Sequence, residues 1–206
     1  QPPQPGDVRF PAPTPQPVVL YHSGRADQGA AAIAWQTTDL YADDESAARG
    51  MLKDVLQLRM LDELRIRDGA TYSPSAAASA SRTFPGYGYI AAFAEIPPDK
   101  SQLFFDTVQR IAADLRDHGP SQEYFERAHK PAVDALEKAV ETNNFWASSL
   151  IGAQSDERRL TYIRDLMPQL KAVTPADVQR VARKYLRDDR AWKLIIEPKP
   201  GADKAG

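Results

Sequence analysis

The stretch Leu64-Arg65-Ile66-Arg67-Asp68-Gly69-Ala70-Thr71-Tyr72-Ser73 marks the point where a long helical pattern gives way to a β-pattern. Upstream, between Asp44 and Arg65, Ala48, Leu52, Leu56, Met60 and Leu64 recur at helical spacing, flanked by Met51, Val55, Leu58 and Leu61. That spacing predicts one long helix with a broad apolar surface, begun by acidic Asp43, Asp44 and Glu45 where a helix N-terminus favours negative charge. Gly69 supplies a plausible C-cap, because glycine takes the left-handed conformation that ends a helix at no steric cost. Downstream, Thr71–Ser81 and Tyr87–Ile96 read as two strands joined antiparallel across Phe84-Pro85-Gly86.

Working outward in both directions, Val18–Tyr21 and Ala31–Thr37 form two opening β-prone runs, separated by the glycine-bearing turn region Gly24–Gly29. Beyond Pro97-Pro98 the periodicity is helical over about 100–117, 121–143, 156–170 and 175–186, with Gly119-Pro120 separating the first two. Thr174-Pro175-Ala176-Asp177 combines an N-cap hydroxyl, proline at the first helical position and an early acid, the clearest helix start in the chain. Ala191–Ile196 closes it as a strand. The order strand, strand, helix, strand, strand, helices, strand does not alternate as a parallel doubly wound sheet would. It predicts an α+β fold, a mostly antiparallel sheet with helices packed on one face.

The 206 residues suffice for one well-cored domain. Residues 1–17 carry seven prolines and read as an extended, semi-rigid linker ahead of a domain over 18–198, with 199–206 as a disordered tail. The start Gln1-Pro2-Pro3 is neither an initiator methionine nor a signal peptide, so the sequence reads as a piece of a longer protein. A formal net charge of −2 gives no basic footprint for a phosphate backbone, which argues against nucleic acid as a partner. No run of about 18 apolar residues is present to span a bilayer, so no membrane partner is expected. The absence of cysteine removes thiolate ligands and disulfides without fixing a compartment.

Hydrolytic zinc takes three side-chain ligands and an open position, commonly with two histidines on one helical face. None of His22, His118 and His129 has another within four residues, and none has the flanking glutamate of such a motif; they read as surface or partly packed residues, His118 complementing a helix C-terminus. There is no Gly-x-Ser-x-Gly elbow, and neither a dinucleotide fingerprint nor a Gly-Lys-Ser/Thr phosphate loop, so no serine hydrolase and no nucleotide cofactor is predicted. Taken alone, Arg65 is a cation near a helix C-terminus beside Asp62 and Asp68, and Tyr72 a strand aromatic.

The junction from Leu64 to Ser73 nevertheless resembles a signature of the pitrilysin/insulinase-type zinc peptidases, the inverzincin group that includes mitochondrial processing peptidase. In that group the half without the zinc motif carries Leu-Arg followed by Gly and Tyr, the Arg and Tyr seven residues apart, as Arg65 and Tyr72 are. The resemblance runs over most of 18–198 and includes Asn143-Asn144-Phe145-Trp146 and the run Val173–Leu186. It implies a LuxS/mitochondrial processing peptidase-like fold and a C-terminal, non-zinc half of bacterial type, periplasmic or otherwise exported, with the cytoplasm as the alternative. The implied partners are a homologous zinc-bearing half, on the same chain or a separate subunit, and an extended peptide substrate. No cofactor is expected on this chain and zinc is expected in the partner half, so that alone it would not be competent to hydrolyse. Arg65 would hold substrate carbonyls and Tyr72 would donate to the scissile carbonyl. A different implied reading is an inactive peptide-binding or assembly module descended from such a peptidase.

Overall fold

The computed structural model describes residues 8–67 and 74–200. Strands β1 (Val18–His22), β2 (Gly29–Thr37), β3 (Ser75–Ala80), β4 (Gly88–Ile96) and β5 (Ala191–Pro198) form one sheet in the order β1-β5-β2-β4-β3. The α+β fold expected from sequence is thus present, antiparallel except where β1 runs parallel to β5. The two opening strands are not neighbours, because the last strand of the chain lies between them. Among the described residues six α-helices accompany the sheet: α1 (Ser46–Met60), α2 (Ser101–Asp117), α3 (Gln122–Val140), α4 (Asn143–Ser149), α5 (Arg158–Ala172) and α6 (Pro175–Tyr185).

Cross-strand partners point to the same face of a sheet. Trp35, Ile33 and Ala31 on β2 therefore share a face with their partners Ile90, Ala92 and Ala94 on β4. All six are buried, beneath Leu52, Val55, Leu56 and Met60 of α1, Phe104, Val108 and Ile111 of α2, and Val178, Val181 and Ala182 of α6. The alanines let α1 and α2 approach the sheet closely, and the large side chains of the helices fill the layer. Helices α3 and α5 pack behind α1, and α4 rests against α3.

Local chemistry sets several boundaries. The helix expected over 121–143 ends at Val140, and Thr142 caps a separate short helix through its side chain, which accepts from Phe145 N–H at 3.2 Å. The predicted start of α6 is a full capping box, Thr174 Oγ1 accepting from Asp177 N–H and the Asp177 carboxylate accepting from Thr174 N–H. Gly119 ends α2 in the left-handed region at φ 78°, and its N–H donates to Leu115 O. The helix leading to Arg65 does not stay α-helical: from Leu61 to Arg67 it widens into a π-helical turn. Of the predicted strand over Thr71–Ser81, the first three residues lie outside the described residues, and β3 is seen from Ser75.

The end of the proline-rich stretch lies against β5, where Thr14 N–H donates to Ala191 O (3.1 Å) and Thr14 Oγ1 accepts from Lys193 N–H (3.2 Å). Those are main-chain groups of β5 just short of where β1 begins to pair with it.

Because Leu56 is fully buried between helices and sheet, Leu56→Ala should lower stability by about 2–5 kcal/mol, read as a shift of the denaturant midpoint with an unchanged slope.

Candidate functional site

The junction singled out in the sequence is held on either side of 68–73, which lie outside the described residues. On the helical side, Asp62, Glu63 and Leu64 of the π-helical turn each find a separate anchor. Leu64 is buried in the core. Asp62 Oδ2 accepts from the Tyr124 phenol (2.9 Å) and from Arg127 Nη1 (3.0 Å), both on α3. Glu63 takes Arg59 at 3.0 Å on one oxygen and has Arg110 of α2 at 2.6 Å from the other, an approach that neutralises an oxygen receiving no directed hydrogen bond. Arg59 also reaches Asp114 at 2.8 Å, and Asp114 in turn accepts from His118 at 3.0 Å.

This lattice fixes protonation states. The hydrogen bond from Arg127, with that from Tyr124, outweighs partial burial and holds the Asp62 carboxyl below its ordinary range. Burial would raise the Asp114 carboxyl, but hydrogen bonds from Arg59 and His118 outweigh it and hold it low. Desolvation first, and the Asp62 carboxylate second, push the Tyr124 phenol up, so it remains a donor. Two guanidinium groups, those of Arg59 and Arg127, lie 5.2 Å from the Tyr124 ring centroid.

On the strand side, the Gln57 amide of α1 acts as a clip. Its Nε2 donates to Pro74 O (2.9 Å) and its Oε1 accepts from Ala76 N–H (2.6 Å), so β3 begins at a fixed height beside α1. Arg65 therefore sits in a backbone turn pinned to α2, α3 and the core. Tyr72 lies outside the described residues, two positions before Pro74.

The sheet face opposite the helices forms the second part of the site. One row crosses all five strands: Val18, Leu194, Ala32, Phe93 and Ser75. Beside it run Leu20, Ile196, Ala30 and Glu95 on one side and Trp192, Ala34, Ala91 and Ala77 on the other. Leu20 is 52% exposed and Phe93 44%, and a hollow of about 420 Å³ lies over Ala30, Ala32, Phe93, Leu194 and Ile196. At the rim stands edge strand β3, whose strand partner in the sheet is β4, whose Ala76 N–H is taken by Gln57 Oε1, and which is composed solely of serine and alanine.

The histidines are dispersed and engaged. The His22 ring meets Gln28 O (2.9 Å) and Gly24 N–H (2.9 Å). His118 meets Asp114. His129 stacks on Phe125 with ring centroids 5.0 Å apart and meets Leu170 O (2.8 Å). Among the described residues no group of three or more His, Asp or Glu side chains is gathered that could hold a metal ion, so no step through zinc is assigned to them. No helix among them is long and apolar enough to cross a membrane. Sequence reasoning noted Asp62 as a neighbour of Arg65 but did not single out Gln57, Tyr124 or Arg127, because such side chains within a helix carry no signal until α3 and β3 are placed beside α1.

The one-sided five-stranded α+β layer is shared with solved peptidase domains. A peptidase M16 inactive domain from Pseudomonas fluorescens is similar at TM-score 0.72 and 19% identity, over 95% of this chain and 47% of that one. An inactive peptidase domain from Bordetella parapertussis is similar at TM-score 0.67 and 17% identity, over 90% and 98%. The periplasmic protease PqqL from Escherichia coli is similar at TM-score 0.70 and 13% identity, over 89% of this chain and 20% of PqqL. At these identities the likeness establishes the fold. The chain spans about half the length of the first of these structures and a fifth of the last. No curated protein matches the sequence. The model of the peptidase M16 inactive domain matches residues 1–131, and the chain belongs to that family.

Two outcomes test the anchoring. Gln57→Ala should leave the fold intact yet speed amide exchange at Ala76, whose N–H then loses its acceptor. Asp62, Asp114 and Asp177 all have folded pKa values below the ordinary one, the last through Thr174 and then Arg180. Their contribution is full above the unfolded value of about 4 and is lost as pH falls through the depressed values. Thermal melts should therefore fall steeply below about pH 4, with a shallower slope in Asp62→Asn.

Proposed function

We propose that this chain is the substrate-binding half of a zinc metalloendopeptidase, completing a clamshell site whose zinc motif lies on a homologous half. The observation that carries the proposal is the bare apolar face of the sheet. Leu20, Trp192, Leu194, Ile196 and Phe93 around a floor of alanines form a surface that a domain normally buries. Membership of a peptidase family and solved relatives of about twice this length support a second domain as what covers it. Zinc and the water it activates are assigned to that partner half, on the same polypeptide or a separate subunit.

Arg65 and Tyr72 are then the residues this chain brings to the reaction. The guanidinium would hold substrate carbonyls and the phenol would donate to the oxygen on which charge develops, stabilising the transition state more than the ground state. The anchoring of the π-helical turn supports Arg65 in that role, since a donor contributes most when its backbone is pre-positioned. The substrate is an extended peptide laid along the outer edge of β3. Beyond Ala76, whose N–H is taken by Gln57, an edge strand of serine and alanine presents main-chain groups without charge or bulk, which suits recognition by strand addition with little side-chain choice. Export to the periplasm is proposed by analogy with PqqL.

Hydrolysis of a quenched unstructured peptide should appear only when this chain is combined with a zinc-loaded half bearing the inverted motif. Arg65→Ala and Tyr72→Phe should each lower kcat on the order of 100-fold or more, as loss of one oxyanion donor does elsewhere. An associated but inactive pair would replace this reading with that of an inactive peptide-binding module.

A further inference from the structure

A second cavity, of about 210 Å³, lies between the end of β3, the first turns of α1 and α5, away from the Arg65 junction. Its lining includes Arg49, Arg82, Tyr162, Tyr89 and the hydroxyl residues Ser46 and Ser79, and among the described residues no Asp or Glu lines it. Arg49 is spoken for: it is buried and pairs with Asp43. Arg82 is different. Among the described residues its side chain has no hydrogen bond or ion pair, although its backbone is held still. Ser81 Oγ accepts from Thr83 N–H (3.1 Å) and Phe84 N–H (2.8 Å), and Ser81 O accepts from Leu40 N–H (3.0 Å). Tyr162 is partly desolvated and its phenol pushed up, so it stays a neutral donor at the cavity wall.

An independent observation comes from Gly50, which also lines the cavity. Glycine is among the poorest helix formers, and Gly50 lies inside α1. No packing requires it, since a Cβ built there meets nothing within 4 Å. Among the described residues the cost to the helix has no compensating contact; what the missing side chain does is keep the cavity open. A water's share of liquid volume is about 30 Å³, so the space holds roughly seven waters, enough for a carboxylate and the atoms beside it.

We propose that this cavity seats a carboxylate of the extended peptide bound along β3, with Arg82 as the charged donor and Tyr162 as the neutral one. The inference rests on the reading of β3 as a peptide-binding edge and deepens it. The carboxylate is a chain end or an acidic side chain near it. A chain end placed here makes the ligand parallel to β3, because the cavity lies at that strand's C-terminal end.

The test is fluorescence anisotropy of the full chain with labelled unstructured peptides of one sequence, in three forms: free C-terminal acid, C-terminal amide, and amide with a terminal Glu. The acid should bind on the order of ten- to a hundredfold tighter than the amide, the range for a hydrogen bond to a charged group. Arg82→Ala and Gly50→Leu should each erase that preference while leaving amide binding unchanged. Thermal melts of both variants, and of Gly50→Ala, confirm that the fold is retained. Recovery of tight binding by the terminal Glu identifies the side chain as a sufficient source; no recovery identifies the chain end, and both outcomes support the cavity. Equal binding of acid and amide, or a preference that survives both variants, overturns the cavity and leaves the β3 edge standing. Binding of none of the three peptides overturns the β3 reading and this inference together.

Discussion

The contact on which the rest of this molecule depends is the broad apolar surface of α1 pressed against an alanine-rich sheet. Met51, Leu52, Val55, Leu56 and Met60 cover too much of the helix circumference for one neighbour to bury. The helix therefore packs at once on β3 and β4, on α2 and α6, and on α3 and α5 behind. Such a helix can be placed in only one way, and both ends of it become fixed points: the π-helical exit that carries Arg65, and the entry turns that wall the cavity beside β3.

Small residues serve two opposite ends in the sheet. On the covered face, Ala31, Ala92 and Ala94 admit large helix side chains and give close packing. On the other face, Ala30, Ala32, Ala77 and Ala91 make a low floor between taller apolar side chains. Since successive strand residues face opposite ways, one alanine-rich composition produces a sealed layer and a bare one. The bare one is a surface that leaves burial to be supplied from outside.

Charge is used here to lock geometry. Asp62, Glu63 and Asp114, with Arg59, Arg110, Arg127 and the Tyr124 phenol, tie three helices at the end of α1. A second set, Asp43 and Glu45 with Arg49, Arg180 and Lys184, ties its beginning to α6. Single exposed ion pairs contribute little, but networks joined to partly buried carboxylates resist rearrangement.

The sequence by itself determined the elements and their class. The 3.6-residue period of Leu52, Leu56, Met60 and Leu64, the period-2 alternation of Tyr87–Ile96 and the capping box at Thr174 are local signals, written in spacing and side-chain type. The family likeness of the Arg65 to Tyr72 junction was equally legible, while the placement of Tyr72 lies outside the described residues. Tertiary structure decided what spacing cannot carry. That β5 lies between β1 and β2, that Asp62 answers to Tyr124 sixty-two residues away, that Gln57 clips β3, and that Gly50 opens a cavity under Arg82 are all pairings between distant segments. Each depends on where the packed core brings two stretches of chain together, and packing is a property of the whole layer that no single stretch records.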